Sequence, residues 1–207
     1  MRLRTFQVVM IACAMAVAVS VSIAAQAPPA GGAPQAGGGQ GGAPRGGGRG
    51  GPGLTLTSTA WPDGGEVPQK HAGGAMGISP ALTWTNVPAG TVEFVLIMND
   101  PEPVTPRGSA TGDILHWLVA KIPATTTSLP EGAGSAGGQL PAGARQIRTY
   151  AGPGAGAAGP QHHYTLTLYA LSAPLELAEN ADRAAVMAAM EGKVLARGIF
   201  GGRYKQP

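Results

Sequence analysis

The chain has 207 residues, with 14 basic and 11 acidic side chains, four histidines, a single cysteine and a formal net charge of +3. Arg2, Arg4, Arg45 and Arg49 precede Leu54 and no acid does, so Leu54 to Pro207 holds ten basic and eleven acidic residues. That near-neutral balance excludes a nucleic-acid-binding domain built on a basic face, and one cysteine excludes a disulfide framework.

In chain order, Arg2 and Arg4 precede an apolar run from Val8 to Ile23, followed by Ala25, Gln26 and Ala27. A basic start, an apolar centre and an A-x-A site predict a signal peptide over residues 1–27. The run is short against the roughly 20 residues of a spanning helix. An uncleaved anchor and a lipid-modified Cys13 are the alternatives. Residues 28–53 contain 13 glycines and 5 prolines and no large apolar side chain. Such a segment buries too little surface to offset its ordering entropy, so it reads as a disordered linker. The mature chain is expected in the periplasm or outside the cell, with no membrane span after processing. Residues 54–207 are a comfortable length for one domain.

Within that domain, Leu54 to Ser58 alternates and reads as a strand, and "SPALTW" (79–84) enters another. "VEFVLIM" (92–98) is a nearly continuous, β-branched apolar run, hence a buried strand. "ILHWLVA" (114–120) and "HYTLTLYAL" (163–171) come next, with a short strand around Ile147 to Tyr150 between them. "ADRAAVMAAMEGKVLA" (181–196) places Val186, Met187, Met190 and Val194 on one helical stripe, with Gly198 as its stop. The expected fold is mainly β: a Greek-key-type β-sandwich with a C-terminal helix packed against it.

The chemistry gathers around "IMNDPEPVTPRGSATGDILHW" (97–117), where an apolar strand stops at Asp100 and prolines bracket Glu102. Strand alternation puts His162 and Tyr164 on the leucine-bearing face with Leu166, Leu168 and Ala170, and His163 on the other. The same period groups His116 with Ile114, Leu118 and Ala120, again facing inward. Inward polar groups need partners. Asp100 and Glu102, at the end of a central strand, are the candidates to supply them, in a small polar pocket with His116, His162 and Tyr164.

These stretches, in this order, resemble the phosphatidylethanolamine-binding protein family in its bacterial, Raf-kinase-inhibitor-like branch. The resemblance rests on Asp100-Pro101-Glu102, on His116, on Tyr150-Ala151-Gly152-Pro153, on His162-His163-Tyr164, and on "AMEGKVLARGIFGGRY" (189–204). It runs from about 54 to 204. Glu102 stands where the family has Asp, Val104 where it has Pro and His163 where it has Arg, and Gly154-Ala155-Gly156 replaces a pair of loop prolines. The resemblance implies a non-enzymatic protein whose pocket takes a phosphate-like group, such as a phospholipid headgroup, between Asp100, His116, His162 and Tyr164. It also implies an inhibitory role toward a protein partner. No cofactor, metal or nucleic acid is expected. A protein-interaction module with a vestigial pocket is the alternative. A hydrolase is a weaker one, because no G-x-S-x-G elbow is present and "GISPA" (77–81) fails at its last position.

Overall fold

The computed structural model describes residues 53–73, 76–103 and 112–207. The leader over residues 1–27, Cys13, the linker as far as Pro52 and Val104 lie outside them. Among the described residues no helix is long and apolar enough to cross a membrane.

Nine strands and one α-helix are present among the described residues. The strands are β1 (Thr55–Thr57), β2 (Gly65–Glu66), β3 (Leu82–Thr85), β4 (Glu93–Asp100), β5 (Ile114–Pro123), β6 (Ser128–Leu129), β7 (Arg145–Arg148), β8 (His162–Leu171) and β9 (Val194–Tyr204), with α1 (Arg183–Met190) between β8 and β9. One sheet has the order β1-β3-β6 and the other β2-β9-β8-β4-β5-β7. The expected sandwich with a packed helix is what the chain forms.

The apolar run of β4 is continuous because both of its faces are buried. Phe94, Leu96 and Met98 pack between the two sheets with Trp84, Trp117, Leu166, Leu168 and Phe200. Val95 and Ile97 face the other way, against Leu118, Leu171, Leu175 and the α1 side chains Val186 and Met190. Each fully buried side chain of this size contributes about 1.5–3 kcal/mol, so β4 anchors two cores at once. β8 is its antiparallel neighbour from Glu93↔Leu171 to Asn99↔Thr165. Tyr164, Leu166, Leu168 and Ala170 point into the sandwich as the alternation requires.

Two sequence expectations are corrected. The helix ends at Met190 rather than running to residue 196. The Asp182 carboxylate caps its start by accepting from the Ala185 N–H at 2.9 Å. Gly192, at φ +73°, turns the chain out, and Val194 onward pairs with β8 as β9. Val194 is therefore exposed on a strand and does not share the buried stripe of Val186 and Met190. The helical periodicity of the stretch continues across Gly192, but the open edge of β8 captures the residues beyond it.

Gly198 is accordingly not a helix stop. It sits in β9 where β1 passes closest: a Cβ there would stand 2.9 Å from the Leu54 carbonyl oxygen and 3.1 Å from the Leu56 nitrogen. Both neighbours are backbone, so the two sheets must part to admit a side chain. Gly198→Val is expected to cost about 1–3 kcal/mol, read as a lower urea midpoint. An unchanged midpoint would mean that β1 yields freely.

Candidate functional site

Strand β4 ends with Asp100 almost completely buried, 2% exposed. Its carboxylate has three neighbours. Oδ2 receives the ring Nδ1–H of His162 at 2.7 Å, Oδ1 receives the backbone N–H of Glu102 at 3.1 Å, and the Tyr164 hydroxyl lies close enough for the Asp100 charge to act on it. The second of these is an Asx-type turn, the local device by which Asp closes a bend after a strand, and Pro101 within it limits the turn's freedom.

His116 reaches the same place by an irregularity. Met98 pairs with Trp117, but Asn99 pairs with Leu115, so His116 is an extra residue in β5 with no partner on β4. This β-bulge breaks the period of two. The expectation that His116 shares a face with Leu118 and Ala120 is thereby corrected: those two pack toward the helix. His116 instead turns with Trp117 to the sandwich side, its ring meeting that of Tyr164 edge-on at a centroid distance of 5.1 Å. His116 Nδ1 lies 2.6 Å from the Ala151 carbonyl oxygen, and the Ala151 N–H returns a bond of 2.8 Å to the His116 carbonyl.

Tyr164 is buried, and its hydroxyl oxygen accepts from the backbone N–H groups of Gly154 and Ala155, each at 3.3 Å. Burial first, then the nearby Asp100 charge, pushes its phenol up to about 12. It therefore stays protonated and keeps an O–H donor on the cavity wall throughout the physiological range.

Asp100, Pro103, Ile114, His116, Gly154, Ala155, Gly156, His162 and Tyr164 line a cavity of about 220 Å³. That is below the roughly 300–1,000 Å³ of a drug-sized pocket and suits a group of a few heavy atoms. Three larger clefts are found among the described residues, of about 600 Å³ beside the C-terminal residues, about 560 Å³ between α1 and β9 and about 300 Å³ along β7. None of them gathers buried carboxylates or histidines, so the smaller cavity is the better candidate. Four of the five residues expected in the pocket line it. The fifth, Glu102, does not; its carboxylate turns to His163, taking the ring nitrogen Nδ1 at 2.6 Å and the backbone N–H at 3.1 Å. Two adjacent histidines on β8 thus hold two carboxylates spaced by two residues in the turn. The sequence reading placed His163 away from the pocket but missed this partnership, and it did not single out Ile114 or Pro103.

Asp100, Glu102 and His162 each offer a possible metal-ligand atom within 4.8 Å of the others. In all three, however, an atom of the donor group is already committed to the internal bonds just described.

A small cavity at the end of a sandwich strand, walled by two histidines, a tyrosine and a paired aspartate, defines a binding protein of β-sandwich architecture. A sequence profile described as "Phosphatidylethanolamine-binding protein" matches residues 57–205, and the chain belongs to that family. Among curated relatives, UPF0098 protein YbhB of Escherichia coli is 40% identical over 128 residues, 57% of this chain and 78% of that protein. A UPF0098 protein of Methanothermobacter thermautotrophicus is 34% identical over 158 residues, covering 74% of this chain and 99% of its own length. A Mycobacterium tuberculosis relative carrying the lipoprotein designation LppC is 32% identical over 160 residues, 72% of this chain and 73% of that protein. Of solved structures, E. coli YbcL superposes with a TM-score of 0.63 at 29% identity, covering 74% of this chain and 99% of its own. The Chlamydia trachomatis homologue CT736 gives 0.62 at 28%, covering 75% and 99%.

Partial burial raises the Glu102 carboxyl, but the side-chain and backbone hydrogen bonds from His163 outweigh it and hold the group below the usual range. A depressed carboxyl contributes stability that is present above its unfolded value and lost as pH falls through the folded one. Glu102→Gln is therefore expected to be less stable than the native chain at pH 7, by up to about 1 kcal/mol for a half-exposed pair. The gap should close as pH drops below about 4. Thermal melts from pH 3 to 7 measure this, and a gap independent of pH would contradict the pairing.

Proposed function

We propose that this chain is an exported protein that binds a small phosphate-like anion in the cavity between Asp100, His116, His162 and Tyr164. The observation that carries the reading is the state of His116. Its Nδ1 faces a carbonyl and must carry a proton, while Nε2 is buried with no hydrogen-bond partner, in a side chain that lines the cavity. A buried polar atom left without a partner costs about 1–3 kcal/mol. Protonated, that nitrogen becomes a charged donor in a partly dry pocket, the setting in which hydrogen bonds to an oxyanion are strong. His162 is arranged alike, with Nδ1 given to Asp100 and its ring on the cavity wall. Asp100 would repel an anion if bare. Its charge is spent instead on His162 and the Glu102 N–H, so its role in this reading is to orient an imidazole.

A phosphorylated headgroup is the occupant that the family's description favours. The lipoprotein designation of one relative supports export, as does the predicted leader. A protein partner, toward which the family resemblance implies inhibition, would meet a rim that includes the exposed Ile114. Hydrolysis is disfavoured because Ser79 is fully buried and its hydroxyl accepts from the Gly134 N–H at 2.9 Å.

A doubly protonated imidazole is a stronger donor to an oxyanion than a neutral one, so binding should tighten as pH falls. Calorimetric titration with inorganic phosphate and with phosphoethanolamine is expected to give higher affinity at pH 6 than at pH 8. His162→Ala should weaken it by about 1.5–3 kcal/mol, the cost of one charge-assisted bond. Equal affinity at both pH values, or a silent His162→Ala variant, would overturn the proposal. Phosphoethanolamine binding more tightly than phosphate would identify the headgroup as the source of the anion.

A further inference from the structure

A second histidine, outside the cavity, is also left half-satisfied. His71 closes the short 3-10 turn Gln69–His71 and is fully buried. Its Nδ1 stands 2.7 Å from the Ile78 carbonyl oxygen. A carbonyl only accepts, so Nδ1 carries a proton. Its Nε2 is buried without a hydrogen-bond partner, and 3.8 Å away lies the Glu131 carboxylate oxygen Oε2, another acceptor. A neutral ring would therefore set a lone pair against a carboxylate. Only the doubly protonated ring satisfies both sides, donating to Ile78 through Nδ1 and to Glu131 through Nε2 after a small movement of the half-exposed Glu131 side chain.

The other groups against His71 are few. Lys70, on the same turn, holds the same Glu131 oxygen at 2.8 Å and opposes a second positive charge. The Trp61 ring lies 5.5 Å away centroid to centroid, tilted, a neighbour that tolerates a cation. The Tyr150 hydroxyl donates to the His71 carbonyl at 2.7 Å and stays protonated, because burial raises it far above its ordinary range.

The contacts of the turn give the arrangement its consequence. Besides the Tyr150 bond, the Gly73 N–H donates to the Pro153 carbonyl at 2.8 Å. Gly152 is packed so closely that a Cβ there would come within 2.3 Å of the His71 carbonyl oxygen. Residues 150–153 lead directly into Gly154 to Gly156, the cavity wall whose N–H groups hold Tyr164.

We propose that His71 and Glu131 form a proton-operated clasp between the 69–73 turn and the loop after β6, and that its closure fixes the 150–156 wall of the cavity. His71 and Glu131 are positioning residues: neither lines the cavity. The link to ligand affinity rests on the anion-binding reading above; the clasp itself does not.

The full mature chain is used for the test. Ring-nitrogen NMR at pH 6 should find both His71 nitrogens protonated in the native chain, Nε2 losing its proton in Glu131→Gln and regaining it in Glu131→Asp. Protection of the Gly73 N–H against exchange should be greater at pH 6 than at pH 8 in the native chain and alike at both in Glu131→Gln. The ratio of phosphate affinities between pH 6 and pH 8 should shrink about fivefold in Glu131→Gln, the low end of coupling between sites. An unprotonated Nε2 at pH 6 in the native chain overturns the clasp. Protection that ignores pH overturns its hold on the wall. If phosphate binds none of the forms, the anion reading fails while the ring and amide measurements still decide the clasp.

Discussion

The carboxylate of Asp100 is the constraint around which this end of the molecule is arranged. β4 must stay apolar on both faces to hold two cores together, and it stays so until a charged group arrives with 2% of its surface exposed. A charge in that position is costly unless it is paired and hydrogen-bonded. Two elements answer it: the His162 ring from the start of β8 and the backbone of the turn after Asp100 itself. Close beside that carboxylate the Tyr164 hydroxyl oxygen receives the Gly154 and Ala155 N–H groups, and the loop carrying them lines the cavity. The shape of the cavity is thus in part a by-product of solvating one carboxylate with protein instead of water.

The same logic explains why the histidines around this region face their surroundings through one nitrogen. In His71 and His116 a carbonyl claims Nδ1, and in His162 a carboxylate does. The tautomer is settled by the partner, and the far nitrogen becomes the functional one. In the proposed reading that nitrogen is a recognition group where it meets the cavity and a fastening where it meets a carboxylate. His163, on the solvent side of β8, meets its carboxylate through Nδ1 itself.

Much of this was legible in the chain. β4 announces itself by an apolar run with no polar interruption, and β8 by strict alternation from Tyr164 to Ala170. Because β8 keeps its period throughout, the inward placement of Tyr164 came out correctly. The helix boundary did not, because the stripe of Val186, Met187 and Met190 extends formally to Val194. Only the ladder with β8, a contact between residues far apart in sequence, decides that Val194 is in a strand. His116 was placed inward for the wrong reason. Period-two reasoning assumes one residue per rung, and a bulge has no signature in a run such as "ILHWLVA". The pairing of Glu102 with His163 was hidden for a related reason, since it depends on how a turn folds back over a strand that begins about sixty residues later. Ser79 and His71 gave no sign of being buried because their burial comes from the loops that close over them.

The extra residue in β5 has a consequence of another kind. The identity of a side chain can drift by small steps, each altering size or polarity a little, and a cavity can drift with it. The number of residues between two rungs of a ladder cannot; it is an integer. Losing one residue between Ile114 and Trp117 would even the ladder at that end of β5 and, in a single event, either remove His116 from the cavity or carry it to the helix side of the sheet, while Trp117 and the residues beyond keep their faces. The place of His116 on the cavity wall is in this sense held by counting rather than by chemistry, and no sequence of conservative substitutions leads into or out of that arrangement.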